Sequence, residues 1–182
     1  MNSDSLKYLT EMDPFTLDEL MKQYGQEVWN FAFFLTKNSS MADDITQDVF
    51  LQVYRHISSF RGEASVKTWL LRITRNISCN YRNTAFFRKV LLVDTAVSKE
   101  YSRSAEQSFL EKEAANHVWK QVFNLPVKFR EVLVLHAKYQ LSISDIAHIL
   151  KIPEGTVKSR LFGARKRMSA LLKEESLINE PI

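Results

Sequence analysis

The segment that decides the fold is SISDIAHILKIPEGTVKSRLFGARKRM, residues 142–168. Apolar residues in its second half recur at three- and four-residue spacings, which is typical of one buried face of an α-helix. They are Val157, Leu161, Ala164, Met168 and, just beyond the segment, Leu171. A capped helix over residues 142–150 precedes them, separated by only residues 151–153. The segment therefore predicts a helix-turn-helix whose second helix runs from Gly155 to about Leu172.

The opposite face of this second helix carries cations, hydroxyls and an aromatic ring. Its members are Thr156, Lys158, Ser159, Phe162 and Lys166. Such side chains suit phosphates, base edges and thymine methyl groups in a major groove, with the first turn of the helix pointing at the DNA. The alternative interpretation is an amphipathic surface helix whose basic face is only solvated.

Outside this segment the composition is also typical of helices. Only four glycines and four prolines occur among 182 residues, 45% of which are hydrophobic. This composition disfavours turn-rich sandwiches and barrels, and the length permits two small domains. We predict an all-α protein with two small helical domains joined by a flexible linker. The domains are expected at 14–84 and 108–175, the linker at 85–107, and tails at 1–13 and 176–182.

The first domain is predicted to open with a strongly amphipathic helix. Its start is marked either by Asp13 with Pro14 or by a capping box from Thr16 to Glu19. Apolar residues then recur at helical spacings. They are Leu17, Leu20, Met21, Tyr24, Val28, Phe31, Ala32 and Leu35. The residues before Asp13 are expected to form a loosely ordered tail.

Two further helices complete the predicted first domain. Ser40 with Asp43 offers a cap for the second helix, which runs to about residue 57, and the third covers about 66–83. The buried stripe of the second helix is Ile45, Val49, Val53 and Ile57. The inward residues of the third are Val66, Leu70, Ile73, Ile77 and Tyr81. In the second domain, helices are also expected over about 108–124 and 127–138.

The polar face of the third helix is rich in asparagine and arginine, which can hydrogen-bond base edges. This face comprises Thr68, Arg72, Arg75, Asn76, Cys79, Asn80 and Asn83. Trp69, next to Lys67 and Thr68, borders the buried stripe and can stack on unpaired bases, and Phe60 and Arg61 in the preceding loop can extend the surface. Core packing is the alternative for Trp69, and periodicity does not decide between the two.

Charge is unevenly distributed along the chain. Residues 64–93 hold six bases and no acid, and residues 151–173 hold seven bases and one acid. Two basic patches indicate two contacts with a polyanion, although solvated surfaces would look the same. The second helix instead has an acidic side, composed of Asp43, Asp44, Gln47, Asp48, Gln52 and Arg55. That side is either solvated or a docking face for a basic protein partner.

Several classes of site are not expected. A single cysteine, Cys79, precludes an internal disulfide and suits a reducing cytosol. The start of the sequence resembles no secretory leader, and no run of about 18 apolar residues occurs, so a cytoplasmic location is expected. The histidines lack metal-ligand spacing, and no glycine-rich phosphate motif is present. We therefore expect no enzymatic activity, metal, cofactor or small-molecule substrate.

Two runs of sequence resemble one protein family. Residues 42–83 closely resemble the core of domain 2 of extracytoplasmic-function sigma factors of RNA polymerase, and residues 125–168 resemble their domain 4. With the first helix and the linker, the resemblance covers nearly the whole chain in the family's order. It implies a subunit that binds core RNA polymerase, through the beta-prime and beta subunits, and promoter DNA. It also implies control by an anti-sigma factor, which in this family is often anchored in the membrane.

The resemblance further implies roles for individual residues. Docking on the beta-prime coiled coil is implied for Asp44, Gln47, Asp48 and Phe50. Melting of the minus-ten element is implied for Phe60, Arg61, Lys67, Thr68 and Trp69. Reading or capture of its non-template strand is implied for Arg72, Asn76 and Asn80, and Arg75 shares their polar face. Reading of the minus-thirty-five element is implied for Lys158, Ser159, Arg160, Phe162, Arg165 and Lys166.

Two positions of the recognition helix need separate treatment. Gly163 is expected on the exposed face, where many members of the family carry a long or basic side chain, so that contact is not carried over. The helical angle of Arg160 places it nearer the flank of the DNA face than its centre. For both reasons the minus-thirty-five sequence is not borrowed from a relative.

Two other classes of function are weighed against this one. A stand-alone helix-turn-helix regulator would need a ligand pocket or a symmetric dimer surface in the first domain. The exposed features expected there are arginine, asparagine and aromatic side chains, which suit nucleic acid better. A hydrolase with a helical lid would need a paired nucleophile and base, and the sequence offers none that we can identify.

Overall fold

The computed structural model describes residues 6, 7, 9, 11–91 and 117–178, which form helices and short connections with no strand among them. The chain divides into two compact units, Met1–Ser98 and Lys99–Ile182. The predicted all-α, two-domain class is confirmed. Within the described ranges, no helix is long and apolar enough to cross a membrane.

Residues 11–91 of the first unit contain three α-helices, and these pack against one another in every pairing. They are α1 (Pro14–Thr36), α2 (Ser39–Arg55) and α3 (Val66–Leu91), with a short 3₁₀ turn at Ile57–Ser59. Their shared core includes Phe31, Phe34, Ile45, Val49 and Leu70, none more than 1% exposed. Full burial of such side chains stabilises a fold by about 1.5–3 kcal/mol each. The predicted α2 stripe is therefore confirmed as the inner face of α2.

Side-chain caps set the starts of the first two helices. The carboxylate of Asp13 accepts a hydrogen bond from the Thr16 backbone N–H at 3.0 Å, and Pro14 occupies the first turn of α1. The first of the two predicted starts is thus confirmed. The predicted cap at Ser40 is wrong. Asn38 caps α2 instead, because its amide oxygen accepts a hydrogen bond from the Met41 backbone N–H at 2.8 Å. Ser40 already lies inside the helix, which begins at Ser39.

Replacing the observed cap should destabilise the first unit, and replacing the predicted one should not. We expect Asn38→Ala to lower the free energy of unfolding by about 1 kcal/mol, because the Met41 N–H loses its acceptor. Ser40→Ala is the matched control and should change this free energy by less than about 0.5 kcal/mol. Urea denaturation followed by circular dichroism measures both. A larger loss for Ser40→Ala would refute the assignment of the cap.

Three details of the first unit differ from expectation. Leu6 and Met12 are buried, at 1% and 6% exposure, so the predicted tail is packed at these positions. Met21 was expected in the core and is 44% exposed, whereas Phe33 and Phe34 are fully buried. The end of α1 is covered on more than one side because α2 and α3 both pack on it. A single-stripe pattern therefore underestimates its burial.

The third helix is longer than predicted. It begins at Val66 as expected but continues to Leu91 rather than ending near Asn83. Residues 85–91, assigned to the linker from their loss of apolar periodicity, are therefore helical. Because backbone hydrogen bonds can extend a helix beyond the part that packs, an apolar pattern marks only its buried part. The remaining predicted linker, 92–107, lies outside the described residues.

The second unit contains four described helices. They are α4 (His117–Asn124), α5 (Val127–Ala137), α6 (Ile143–Leu150) and α7 (Glu154–Ile178). Their core includes Leu135, Ile146, Ile149 and Val157, none of which is exposed to solvent. The predicted start of α4 near residue 108 lies outside the described residues. The last helix continues past Leu172, so residues 176–178 of the predicted C-terminal tail are helical.

Candidate functional site

The predicted helix-turn-helix is formed by α6 and α7, and local hydrogen bonds fix its turn. Ser142 caps α6 by accepting from the Asp145 backbone N–H at 3.0 Å. Lys151 adopts a left-handed conformation with φ 53°, and the Ile152 N–H donates to the Ala147 carbonyl at 3.1 Å, which closes the helix. The Pro153 carbonyl then accepts from Val157 at 3.1 Å as α7 begins. The turn sets the direction in which α7 leaves.

The outer face of α7 is exposed and basic. On the inner face of α7, the predicted apolar stripe is buried at Val157, Leu161, Ala164 and Met168, and half-buried at Leu171. The structure brings together on the exposed face Lys158, Ser159, Phe162, Arg165 and Lys166. Phe162 is the most prominent, with 72% of its surface exposed. Thr156 is half-buried, and its carbonyl accepts a hydrogen bond from the Ser159 hydroxyl at 3.0 Å. We call these five exposed residues the α7 recognition face.

Arg160 is directed away from the α7 recognition face. Its Nη1 lies 3.0 Å from Oε1 of Glu131 on α5, and the Glu131 side chain is only 6% exposed. A buried carboxylate is strongly destabilising without a partner, so Arg160 neutralises Glu131 and fixes α7 against α5. The Arg160 guanidinium is therefore engaged with α5, and its implied direct DNA contact stays a prediction. Periodicity alone flagged Arg160 as a flank residue but did not reveal Glu131.

Gly163 is not on the exposed face, contrary to expectation. A Cβ atom at this position would lie 2.9 Å from Cε1 of Phe129, a residue of α5 that is 9% exposed. The guanidinium of Arg167 lies over the same ring, 4.0 Å from its centroid. The glycine thus permits close approach of α7 to the Phe129 ring.

A side chain at Gly163 should destabilise the second unit relative to one at Gly155. Nothing lies within 4 Å of a Cβ built at Gly155, whereas Gly163 meets Phe129. Both alanine variants gain helix propensity, but only Gly163→Ala adds overpacking, which costs about 1–3 kcal/mol. We expect Gly163→Ala to melt at a lower temperature than Gly155→Ala in calorimetry. Equal melting temperatures would show that the Phe129 ring moves freely.

On α2 the predicted polar residues lie on an outward face. Asp44 and Gln47 are exposed and Asp48 is half-buried. Phe50 is only 2% exposed, so its implied role at a docking surface is corrected: it lies among the core residues. Sequence reasoning missed Leu51 and Tyr54, exposed by 49% and 44%, although their spacing from Asp44 and Gln47 was a usable signal. We call the set Asp43, Asp44, Gln47 and Asp48 the α2 acidic face.

Neutral donors from both neighbouring helices hold two carboxylates of the α2 acidic face. The indole N–H of Trp29 on α1 donates to Oδ1 of Asp43 at 2.7 Å. The hydroxyl of Tyr81 on α3 donates to Oδ2 of Asp48, also at 2.7 Å. The hydrogen bond to Asp48, with burial and the charges of Asp48 and Asp44, raises the pKa of Tyr81 to about 12. Tyr81 is half-buried, and its hydroxyl lies at the α2 acidic face.

The hydrogen bond of Tyr81 predicts a specific alkaline dependence of stability. A raised pKa in the folded state contributes stability below the ordinary value of 10.0 and loses that contribution as pH rises through about 12. We expect the wild type to be more stable than Tyr81→Phe by a constant amount from pH 7 to 9, and this difference to shrink between pH 10 and 12. Denaturation series at each pH measure the gap. A gap that stays constant up to pH 12 would contradict the assignment.

The surface around the start of α3 combines aromatic and polar groups. Trp69 is half-buried, and its ring packs at 5.1 Å and 50° against Phe60. Phe60 itself is 3% exposed, so it supports Trp69 rather than adding to the surface as expected. Arg61 is exposed, and Lys67 is ion-paired with Glu27 of α1 at 2.9 Å. The Trp69 side chain is therefore partly exposed, and its ring packs against the buried ring of Phe60.

Further along α3 the predicted polar face is largely confirmed as surface. Asn80 is exposed, and the half-buried members are Arg72, Arg75, Asn76 and Cys79. Thr68 is the exception, because it is 6% exposed and its hydroxyl lies 2.9 Å from that of Ser65. The expected outward position of Thr68 is wrong. Thr68 lies in the first turn of α3, and its backbone N–H donates a hydrogen bond to the Ser65 hydroxyl at 3.1 Å.

The fold and these surfaces define a two-unit, all-helical protein with a DNA-binding helix-turn-helix. One protein family matches each unit. Sigma-70 region 2 matches residues 20–85, and Sigma-70, region 4, matches residues 122–168. The ECF RNA polymerase sigma factor SigM of Bacillus subtilis is 30% identical over 156 residues, covering 86% of this chain and 94% of its own. The ECF RNA polymerase sigma-E factor of Haemophilus influenzae is 34% identical, covering 81% and 82%.

Solved structures agree with this fold. CnrH, in complex with the cytosolic domain of CnrY, matches with a TM-score of 0.65 and 22% identity, covering 94% of this chain and 95% of its own. The sigma factor RpoE of Bartonella quintana, in complex with the anti-sigma factor NepR, matches with a TM-score of 0.63 and 23% identity, covering 86% and 96%. The chain belongs to the extracytoplasmic-function sigma factors of RNA polymerase. It is therefore a transcription initiation factor.

Proposed function

We propose that this sigma factor docks on core RNA polymerase through α2, captures the melted minus-ten strand on α3 and reads the minus-thirty-five duplex with α7. The observation that carries the proposal is the α7 recognition face. There Phe162, 72% exposed, stands among basic side chains on the second helix of a helix-turn-helix. A large exposed apolar ring between cations suits a groove that offers both phosphates and methyl groups.

At the minus-thirty-five element, each exposed side chain has a distinct chemistry. Lys158, Arg165 and Lys166 can contact phosphates or guanine edges, Ser159 can hydrogen-bond to bases, and Phe162 can pack on a thymine methyl group. Binding through cations should weaken steeply with salt. Arg160 contributes indirectly, because its ion pair with Glu131 fixes the position of α7.

At the minus-ten element, binding itself is proposed to open the DNA. Base–aromatic stacking contributes about 1–3 kcal/mol per base, which offsets the unstacking of an extruded base on Trp69. Arg61 and Lys67 precede Trp69 in the sequence and are proposed to contact the same strand. The proposed non-template strand contacts are Arg72, Arg75, Asn76 and Asn80. Melting by this route needs no nucleotide hydrolysis, so we propose that the protein has no enzymatic activity of its own.

The α2 acidic face is proposed to meet a basic surface of core polymerase. Charge complementarity of this kind favours encounter and fixes register. Leu51 and Tyr54 continue the same face and supply the apolar contact that was expected from Phe50. We further propose that the protein acts in the cytoplasm and is controlled by an anti-sigma factor that covers its binding surfaces. Of the proteins that share its fold, RpoE was solved with the anti-sigma factor NepR, and CnrH was solved with the cytosolic domain of CnrY.

Run-off transcription with purified core polymerase tests this proposal. We expect defined starts on a genomic promoter library only when the protein is present, and these starts should share paired upstream elements. Phe162→Ala should reduce transcript yield by about tenfold, because it removes one apolar base contact. Phe15→Ala is the matched control, since Phe15 is also 72% exposed but lies on α1. Its yield should stay within about twofold of the wild type.

Two outcomes would count against the proposal. If active core gives no protein-dependent start while the protein alone binds duplex sites tightly, the protein is a stand-alone regulator. If Phe15→Ala reduces transcription as strongly as Phe162→Ala, the exposed ring of α7 has no special role in promoter reading.

A further inference from the structure

Tyr81 connects the nucleic-acid side of the first unit to its acidic side. It directly follows Asn80 on α3, yet its hydroxyl reaches α2 and donates to Oδ2 of Asp48 at 2.7 Å. The two residues are 33 positions apart in sequence, so the bond depends on tertiary packing. No role follows for this tyrosine from its helical position alone, which predicts only a core residue.

The chemistry of the donor matters as much as the distance. A tyrosine hydroxyl fixes a carboxylate but leaves its negative charge intact, and the other lone pairs of Asp48 stay available to a partner. A lysine or arginine at residue 81 would neutralise Asp48 and compete with any basic surface that approaches. A tyrosine hydroxyl keeps its proton at physiological pH, and the hydrogen bond to Asp48 raises the pKa of Tyr81 further, to about 12. The arrangement thus orients the charge without cancelling it.

The same arrangement occurs on the other flank of α2. Asp43 accepts from the indole N–H of Trp29, which is also a neutral donor. Holding a carboxylate in one orientation before binding reduces the loss of side-chain freedom when a complex forms. Two acids of one face are therefore held from opposite sides, by α1 and by α3.

We propose that Tyr81 is a positioning residue for polymerase binding, which holds the Asp48 carboxylate in the orientation that meets a basic surface of core polymerase. The inference rests on the proposed docking role of the α2 acidic face. It adds a residue of α3, outside the docking helix, on which the affinity for core depends. The partner group proposed to meet Asp48 is a lysine or arginine, because a cation gains both the hydrogen bond and the charge attraction of an undiminished carboxylate.

A double-mutant cycle in the full-length protein tests the inference. Dissociation constants for purified core polymerase are measured for the wild type, Tyr81→Phe, Asp48→Asn and the double variant. We expect Tyr81→Phe to weaken binding by about three- to tenfold, as for loss of one hydrogen bond. Asp48→Asn should weaken it at least as much. The double variant should bind no more weakly than Asp48→Asn alone, because Tyr81 acts only through that carboxylate.

Two controls separate positioning from a general loss of structure. Tyr24→Phe removes another half-buried hydroxyl of the first unit, on α1. Its affinity for core should stay within about twofold of the wild type. Thermal melting and circular dichroism of every variant should show that the chain is folded at the temperature of the assay. Neither measurement should follow the affinity for core.

The outcomes distinguish the inference from the function on which it rests. If Tyr81→Phe and Asp48→Asn weaken binding additively, Tyr81 has a structural effect and the inference is wrong. If Asp48→Asn weakens binding and Tyr81→Phe does not, the inference is wrong and the docking role of Asp48 stands. If Asp48→Asn binds core as the wild type does, the proposed docking on the α2 acidic face fails, and the inference fails with it.

Discussion

The helices of the two units must bury their apolar residues, and this constraint determines what the opposite face of each helix can present. On α7, burial of Val157, Leu161 and Ala164 leaves Phe162 in solvent among basic residues. On α2, burial of Ile45 and Val49 turns the acidic residues outward. Apolar burial is the dominant favourable term in folding. The surfaces proposed to bind partners are therefore set by the same packing that stabilises the two units.

Polar contacts between helices refine that arrangement rather than create it. The Glu131–Arg160 ion pair joins α5 to α7, and Lys67–Glu27 joins α3 to α1. Such pairs add little net stability compared with apolar burial, but breaking a buried one is strongly destabilising. Their effect is on orientation. They fix the angle at which each binding face is presented, which matters for a protein that must match two DNA elements and a protein partner.

The basic and acidic surfaces belong to different helices, so under the proposed function DNA and core polymerase are bound by separate surfaces. Each DNA-binding surface of the chain is small, and small interfaces bind weakly by themselves. Linking several weak contacts through core polymerase raises the effective concentration of each. Under the proposed function, Asp44 and Gln47 on α2 and Phe162 on α7 then contribute to one affinity although they belong to different units.

Helical periodicity by itself determined the all-α class, the helix-turn-helix, the inner faces of α2 and α7 and most of the exposed polar residues. A repeat of 3.6 residues gives the angle of each side chain around its own helix, and burial follows wherever one neighbour covers one stripe. The cap at Asn38 and the length of α3 escaped it, since they depend on local hydrogen bonds and not on apolar spacing.

Only the tertiary structure decided the positions of Phe50, Thr68, Arg160 and Gly163. Each lies at the border of a stripe, where burial depends on how the neighbouring helix crosses and how far its side chains reach. Gly163 faces the ring of Phe129, and Arg160 meets Glu131, because α5 packs against that side of α7. The bond from Tyr81 to Asp48 has the same origin. Distances between helices are not encoded in the spacing of residues along any one of them.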